Sequence, residues 1–161
     1  MSRRPAEARL VDLWGRLSPL PGGRWLFSRV LGWIVPYSGT VRPLVVELEP
    51  GRAVVRVRDR RKIRQHLGSV HAVALCNLGE LTSGLAMMAG LSPSVRGIVT
   101  SIEIEFFKKA RGLLTATSEA RAPEEVHDAM DHPVVAEIHD EAGDCVARVT
   151  AHWRLAPRPP A

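Results

Sequence analysis

The sequence predicts an α+β fold in which a curved antiparallel β-sheet packs against one long central helix, preceded by a helical N-terminal extension. Two observations support this class. Apolar residues recur at helical spacing through the first 33 residues, whereas from residue 41 onward most segments alternate apolar and polar residues, as strands do. The exception is residues 70–89, a long apolar segment in the middle of the chain that predicts the central helix.

The composition is that of one globular domain: 161 residues, 45% of them hydrophobic and 24% charged, which excludes collagen-like and wholly disordered classes. Cys76 and Cys145 lie among apolar neighbours, so we expect free thiols in a reducing compartment. The N-terminus lacks the apolar core of a signal peptide, and the apolar stretch 25–37 is too short to span a bilayer. We therefore expect a cytoplasmic protein without a membrane span.

Two amphipathic helices are predicted in the extension, which we assign to residues 1–40. Residues 6–17 place Leu10, Leu13, Trp14 and Leu17 at helical spacing, and the prolines and glycines of residues 18–23 end this helix. A second helix is predicted over residues 24–33, before Pro36.

A β-hairpin follows, since two alternating segments flank Pro50-Gly51. Its apolar sets are Leu44, Val46 and Leu48 on one strand and Ala53, Val55 and Val57 on the other. Folding about the turn would place these two sets opposite one another, and Pro-Gly suits a type II turn.

Four further strands are predicted after the central helix, which should end at Gly90. Strands are expected over residues 98–106, 113–122, 134–140 and 145–155, which completes a domain over residues 41–155. Residues 122–133 are polar and irregular, with a helical turn at 123–131 as one option. The proline-rich tail, residues 156–161, is expected to be disordered.

Glu80 is the only formally charged side chain between Leu67 and Val95. A helix that is apolar all round is normally buried, so its single carboxylate is expected to be at least partly out of water. Such a carboxylate either makes a structural hydrogen bond or has a raised pKa, and carboxylates of the second kind are enriched at functional sites. The residues alone leave both interpretations open.

Two sequence blocks resemble a known family. The first is Gln-His-Leu-Gly-Ser-Val-His-Ala-Val-Ala-Leu at residues 65–75, followed by Leu78 and Glu80; the acid stands nine positions after His71. This pattern resembles the signature of hotdog-fold acyl-CoA thioesterases. The second block, residues 102–112, is similar to the strand of that family that ends in an aromatic residue, a basic residue, Ala and Gly. The resemblance covers residues 41–155 and is greatest to the DUF4442 branch, many of whose members lack an assigned activity.

The resemblance implies a hotdog fold, in which the sheet wraps around the central helix, and a set of site residues. Glu80 would be the catalytic carboxylate, acting as nucleophile or as base toward water. The backbone N–H of Ala72 would polarise the thioester carbonyl, and Gln65 would orient the carbonyl or a water. The candidates for substrate binding are His71, Val73, Asn77, Ser83, Lys108, Lys109 and Arg111.

Several of these residues also have a structural interpretation. His71 stands where a helix cap is expected, and Asn77 and Ser83 can be satisfied within the helix. Lys108, Lys109 and Arg111, like the basic residues 58–64, are either solvated loop charge or contacts for the phosphates of CoA. Two features depart from the family pattern: the pair Ala72-Val73 replaces the Gly-Gly of many active members, and Gly84 replaces a hydroxyl residue of some members.

The first functional hypothesis is therefore an acyl-CoA thioesterase, and the alternative is a non-catalytic module that binds acyl-CoA or fatty-acyl groups. A third, weaker hypothesis is nucleic-acid binding, because the net charge is +5, although no binding motif is present. The six histidines form no metal-binding pattern, so neither metal nor cofactor is expected.

The resemblance also implies a homodimer or a dimer of dimers, because relatives pair their sheets edge to edge. The long strand expected around residues 96–107 would otherwise expose its edge. The apolar residues Trp14, Trp25, Leu26 and Trp33 are expected to form a lid over the sheet or acyl pocket, with a membrane anchor as the weaker alternative.

Overall fold

The computed structural model describes residues 6–159 and contains four α-helices and six strands within them. A short 3-10 turn, Arg61–Ile63, precedes the longest helix. The helices are α1 Ala6–Leu17, α2 Gly23–Ile34, α3 Pro36–Gly39 and α4 Ala72–Gly90. The strands are β1 Leu44–Glu49, β2 Arg52–Arg58, β3 Val95–Phe106, β4 Leu113–Glu119, β5 Met130–His139 and β6 Cys145–Pro157.

The six strands form one antiparallel sheet in the order β1-β2-β4-β5-β6-β3, which leaves β1 and β3 at its edges. Helix α4 packs against all six strands, so that the sheet curves around it. This is the two-layer α+β architecture that the alternation of periods predicts. Helix α4 is long and apolar enough to cross a membrane, but most of it is buried against the sheet, which accounts for its composition.

Helix α4 lies very close to the sheet at Gly79. A Cβ at this position would lie 2.3 Å from Cγ2 of Val149 on β6, far inside van der Waals contact. Thr82 and Ser83 are fully buried on the same helix, but their hydroxyls donate to the carbonyls of Leu78 and Glu80. These hydroxyls are therefore satisfied within the helix.

The β1–β2 hairpin forms about Pro50-Gly51 as expected, but the prediction of which β1 residues share its apolar face is wrong. A β-bulge between Val45 and Glu47 shifts the register, so that Val45 and Leu48 are buried while Leu44 is exposed. An extra residue at a bulge moves the side chains that follow it to the other face. Gly51 has φ +83°, the conformation that the third residue of a type II turn requires.

The N-terminal helices share the core with the sheet. Phe27 and Leu31 of α2 are almost fully buried, and Trp14 of α1 packs edge-on against Phe27 with 5.0 Å between ring centroids. The Oγ of Ser28 accepts a hydrogen bond of 2.9 Å from the backbone N–H of Val45 in the edge strand β1. Trp14 is thus a core residue rather than part of an exposed lid.

The C-terminal half differs from expectation in one turn and at several strand ends. Strand β3 begins at Val95 rather than at residue 98, and β4 ends at Glu119 rather than at residue 122. No helical turn forms over residues 123–131, and β5 begins at Met130. Strand β6 extends to Pro157, because Ala156 and Pro157 pair with Arg96 and Val95 of β3. The first two residues of the tail expected to be disordered are therefore part of the sheet, and residues 160–161 lie outside the described residues.

Candidate active site

The loop before α4 places the helix N-terminus next to the second sequence block. The backbone N–H of Val70 donates to the carbonyl of Ala110 at 2.9 Å, and that of His71 donates to Ile63 at 2.8 Å. The side chain of Arg111 donates from Nε to the Gly68 carbonyl at 3.1 Å. The two blocks that carry the family resemblance are therefore joined in space by hydrogen bonds.

His71 caps α4. Its Nδ1 accepts a hydrogen bond of 3.1 Å from the backbone N–H of Val73, in the position where a cap residue satisfies a first-turn amide. The amide of Ala72 has no hydrogen-bond acceptor among the described residues, and Ala72 is exposed. The helix N-terminus thus presents one free amide, at the end where the helix dipole favours negative charge.

The side chain of Gln65 stabilises its own loop. Its Nε2 donates to the Ser69 hydroxyl, and its Oε1 accepts from the backbone N–H of Leu67, both at 2.9 Å. Each end of the side-chain amide already makes one hydrogen bond. One N–H and one lone pair of the oxygen therefore remain for orienting a substrate or a water.

Glu80 lies in the middle of α4, half-buried, and its carboxylate has no hydrogen bond or ion pair to any described residue. Burial raises its pKa above the ordinary range of glutamate. Burial also raises the pKa of the Cys76 thiol, one helical turn earlier, and the negative charge of Glu80 adds to that effect. A half-buried, unpaired carboxylate with a raised pKa is suited to accept a proton or to attack a carbonyl.

A cavity of about 860 Å³ lies beside Glu80, between the N-terminal helices and α4. Its walls are mainly aliphatic and aromatic, and α1 adds three charged residues. The lining residues from the N-terminal helices and the turn after them are Arg9, Leu10, Asp12, Leu13, Arg16, Val30, Leu31, Trp33, Ile34, Val35 and Ser38. Those from α4 and β6 are Glu80, Leu81, Gly84, Leu85, Met88 and Trp153.

Most of these wall residues are absent from the sequence-based prediction. Only Glu80 was predicted as a site residue, and Trp33 was assigned to a lid. A signal was present for α2, because its apolar residues cover a wider sector of the helix than packing on one side requires. No local pattern predicts that Trp153 lines a cavity, because its position in the sequence is that of an ordinary core residue of a strand.

Two predicted binding residues instead donate hydrogen bonds to backbone carbonyls within the fold. Asn77 is buried and donates from Nδ2 to the Tyr37 carbonyl at 3.2 Å, while its Oδ1 has no partner among the described residues. Ser83 is fully buried and donates to the Glu80 carbonyl at 2.9 Å. Val73, by contrast, is 52% exposed at the first turn of α4, where a substrate can reach it.

The basic residues of the second block differ in availability. Lys108 donates to Asp140 at 2.7 Å and also to Asp144, and these hydrogen bonds raise its pKa. Its charge is therefore neutralised by the turn between β5 and β6. Lys109 is exposed and has no ion-pair partner among the described residues. Of the three basic residues of this block, only Lys108 is paired with described carboxylates, so the charges of Lys109 and Arg111 remain available for a phosphate.

The geometry of α4 separates the two main catalytic candidates. Ala72 and Glu80 are eight residues apart, which corresponds to about 12 Å along a helix axis. The Ala72 amide and the Glu80 carboxylate of one chain therefore do not converge on one carbonyl group.

In the part of the chain that the structure describes, no three His, Cys, Asp or Glu side chains are placed to hold a metal ion.

Residues 23–155 match a protein family described as a domain of unknown function, DUF4442. No functionally curated protein matches the chain. The matched region begins at the first residue of α2, so the family pattern includes the helix that closes one side of the cavity.

Solved structures share this architecture. A structural-genomics protein designated APC5556 is 25% identical with a TM-score of 0.80, over 96% of this chain and 100% of its own. PA5026 from Pseudomonas aeruginosa, titled a probable thioesterase of unknown function, is 24% identical with a TM-score of 0.70, over 86% and 97%. A hypothetical thioesterase from Streptococcus pneumoniae is 17% identical with a TM-score of 0.62, over 72% and 91%. The sheet wrapped around α4 is a hotdog fold, as the sequence resemblance implies.

Proposed function

This chain belongs to the DUF4442 family. We propose that it is a thioesterase-like hydrolase that cleaves the thioester of a fatty or aryl acyl-CoA. The observation that carries the proposal is Glu80, a half-buried carboxylate without a partner among the described residues, at the wall of an apolar cavity. The thioesterase titles of structural relatives support the same reaction class.

The chemistry uses the ionised form of Glu80. As a base, the carboxylate takes a proton from water while the water oxygen bonds to the thioester carbonyl carbon; the C–S bond then breaks, and the proton goes to the departing thiolate. As a nucleophile, the carboxylate itself bonds to the carbonyl carbon and displaces the thiolate, and water then hydrolyses the anhydride. Both routes develop negative charge on the carbonyl oxygen.

A free helix-terminal amide is suited to stabilise that oxygen, and the Ala72 N–H is one. Because Ala72 is about 12 Å from Glu80 in its own chain, we propose that the carbonyl meets Glu80 of one subunit and Ala72 of the other. The protein would then be a homodimer or a dimer of dimers.

The free edge of the sheet supports this assembly. Strand β3 is an edge strand 12 residues long, a length that soluble proteins usually cover. Ile102 and Phe106 pair with buried residues of β6 and so belong to the helix-facing side of the sheet, yet they are 38% and 51% exposed. A second subunit paired along β3 would cover them.

We assign the acyl group to the cavity beside Glu80. Its volume of about 860 Å³ lies within the ordinary range for small-molecule sites, and its mainly apolar walls suit a hydrocarbon chain or an aromatic ring. The nucleotide end of CoA would meet Lys109 and the basic loop 58–64, where Arg61 and Lys62 are exposed.

The alternative function is a non-catalytic acyl-CoA or fatty-acyl binding protein. One observation favours it: the exposed side chain of Val73 stands beside the Ala72 amide, where many active relatives carry a glycine. Its bulk would hold a carbonyl away from the amide while leaving the cavity open.

A hydrolysis assay distinguishes the thioesterase from the non-catalytic binding protein. It measures the rates of the wild type, Glu80→Gln and Glu124→Gln on a series of acyl-CoA thioesters. Loss of about a hundredfold or more in rate in Glu80→Gln, with binding kept, is expected for a base or nucleophile. Glu124 is exposed and serves as the matched control. Binding without turnover by the wild type would establish the alternative, and equal rates in wild type and Glu80→Gln would remove Glu80 from the mechanism.

A further inference from the structure

The outward side of α2 is apolar where a surface helix normally carries polar residues. Phe27, Ser28 and Leu31 face the core. At 100° per residue, Trp25, Leu26, Arg29 and Trp33 fall on the opposite side of the helix, and the three hydrophobic side chains are 60%, 45% and 83% exposed.

The exposed apolar surface continues beyond α2. Ile34, Val35 and Tyr37 are 54%, 40% and 66% exposed, and Leu20, before the helix, is 55% exposed. Seven large exposed hydrophobic residues thus lie within residues 20–37. We call this segment the α2 surface. Apolar surface concentrated in one place marks a docking site, unlike exposed hydrophobic residues scattered singly.

The segment that carries the α2 surface is basic. Between Asp12 and Glu47 the sequence contains no acidic residue but four arginines: Arg16, Arg24, Arg29 and Arg42. Arg60 joins them from the loop after β2, since its guanidinium donates to the Thr40 carbonyl at 2.6 Å. Burial, together with the charges of Arg42 and Arg29, lowers the pKa of Arg60. Cations this close to one another favour an anionic partner.

We propose that the α2 surface docks onto a lipid bilayer that contains anionic phospholipids. Tryptophan and tyrosine prefer the membrane interface, and a helix with arginine beside large apolar residues is typical of segments that lie in the interface plane. Arg29 lies over the Trp25 ring, 5.6 Å from its centroid, so the cation is placed directly beside an aromatic ring that would enter the interface.

A second copy of this chain fits the surface less well. A two-fold symmetric contact through α2 would bring each arginine cluster toward the same cluster of the partner, and like charges repel. A bilayer with anionic headgroups satisfies the cations and the apolar side chains at once.

The α2 surface also adjoins the cavity, because Trp33, Ile34 and Val35 belong to both. A chain that docks by α2 would place the cavity beside the bilayer. Docking itself does not depend on hydrolysis, and Trp25 does not line the cavity. Binding to membranes and thioester hydrolysis can therefore be tested separately.

Binding of the full chain to vesicles of phosphatidylcholine, with and without phosphatidylglycerol, tests the proposal. We expect binding that requires phosphatidylglycerol and weakens as salt is added. Trp25→Ser should lower the affinity roughly tenfold, since a large side chain no longer enters the interface. Arg29→Gln, on the outward side of α2, should lower it about fivefold.

The matched control is Phe107→Ser. Phe107 is 53% exposed and lies under Arg148, with 5.7 Å from the guanidinium carbon to the ring centroid, but it follows β3 at the other edge of the sheet from α2. This variant and Glu80→Gln should keep wild-type vesicle binding.

The proposal would be overturned if Trp25→Ser and Phe107→Ser lost vesicle affinity equally, or if vesicle binding did not require phosphatidylglycerol. Absence of vesicle binding would also overturn it, and an oligomer, seen by light scattering, that Trp25→Ser dissociates would then identify a second copy as the occupant. Specific binding of an acidic protein, without vesicle binding, would likewise overturn it.

Discussion

The indole ring of Trp153 lies over Gly84, so close that a Cβ at position 84 would fall 3.1 Å from two of the ring carbons. Both residues line the cavity beside Glu80. The family pattern that the sequence resembles has a hydroxyl residue in some members at the position of Gly84, one turn beyond Glu80. In this chain the indole ring fills that space, so the glycine and the tryptophan are a matched pair.

Gly84→Ser should therefore destabilise the protein by about 1–3 kcal/mol, the usual effect of inserting atoms into a packed core. A second substitution, Trp153→Leu, should cost less stability in the Gly84→Ser background than in the wild type, because the smaller side chain makes room. Urea unfolding of the two single variants and the double variant measures this coupling. Additive effects would show that the two side chains do not compete for space.

Glu80→Gln should stabilise the protein, and increasingly so as the pH rises. A carboxyl group whose pKa is raised by folding binds its proton more tightly in the native state, so ionisation disfavours folding as the pH passes through the native pKa. Glutamine does not ionise, so it causes no such loss of stability at higher pH. Thermal unfolding of both proteins across the pH range from acid to neutral gives the comparison. A constant difference with pH, or the same trend in Glu124→Gln, would contradict a buried, ionisable Glu80.

Removing the charge of Glu80 should also make Cys76 more reactive. Burial is the larger cause of the raised pKa of this thiol, but the Glu80 carboxylate contributes, so Glu80→Gln lowers the thiol pKa and increases the thiolate fraction. Alkylation by iodoacetamide at mildly alkaline pH, in a Cys145→Ser background, isolates Cys76. An unchanged or slower rate in Glu80→Gln would show that the two side chains are not coupled.

The neighbours Leu26 and Phe27 should differ strongly in their contribution to stability. Phe27 is fully buried, so Phe27→Ala should cost about 3–5 kcal/mol, whereas Leu26 is 45% exposed and Leu26→Ala should change stability by about 0.5 kcal/mol or less. Denaturant unfolding compares the two variants directly. Similar small effects would mean that α2 is not part of the core.

Self-association should depend on the free edge of the sheet. Wild-type protein should have at least twice its chain mass of 17.7 kDa by light scattering, and Ile102→Lys and Phe106→Lys should reduce it toward the monomer. Val135→Lys, at a residue that is 40% exposed on the inner strand β5, is the matched control. A monomeric wild type at micromolar concentration would rule out a site shared between subunits.

Local patterns in the sequence determined most of the secondary structure, because the helical and strand periods depend only on neighbouring residues. The bounds of α1 match residue for residue, and α2 and α4 differ by two residues or fewer at either end. The isolation of Glu80 in an apolar helix likewise predicted its half-buried state, but it left open whether the carboxylate makes a structural hydrogen bond or has a raised pKa; the structure shows the raised pKa. Where the local pattern was weak, as at residues 123–131, the predicted turn did not form.

Only the tertiary structure decided which atoms meet. The pairing of Lys108 with Asp140 joins residues 32 positions apart, and Gly84 meets Trp153 from another element altogether. The bulge after Val45 and the strand pairing that continues to Pro157 are likewise set by sheet register. Periodicity places a side chain on a face of its own element, but register and helix packing decide what lies opposite that face.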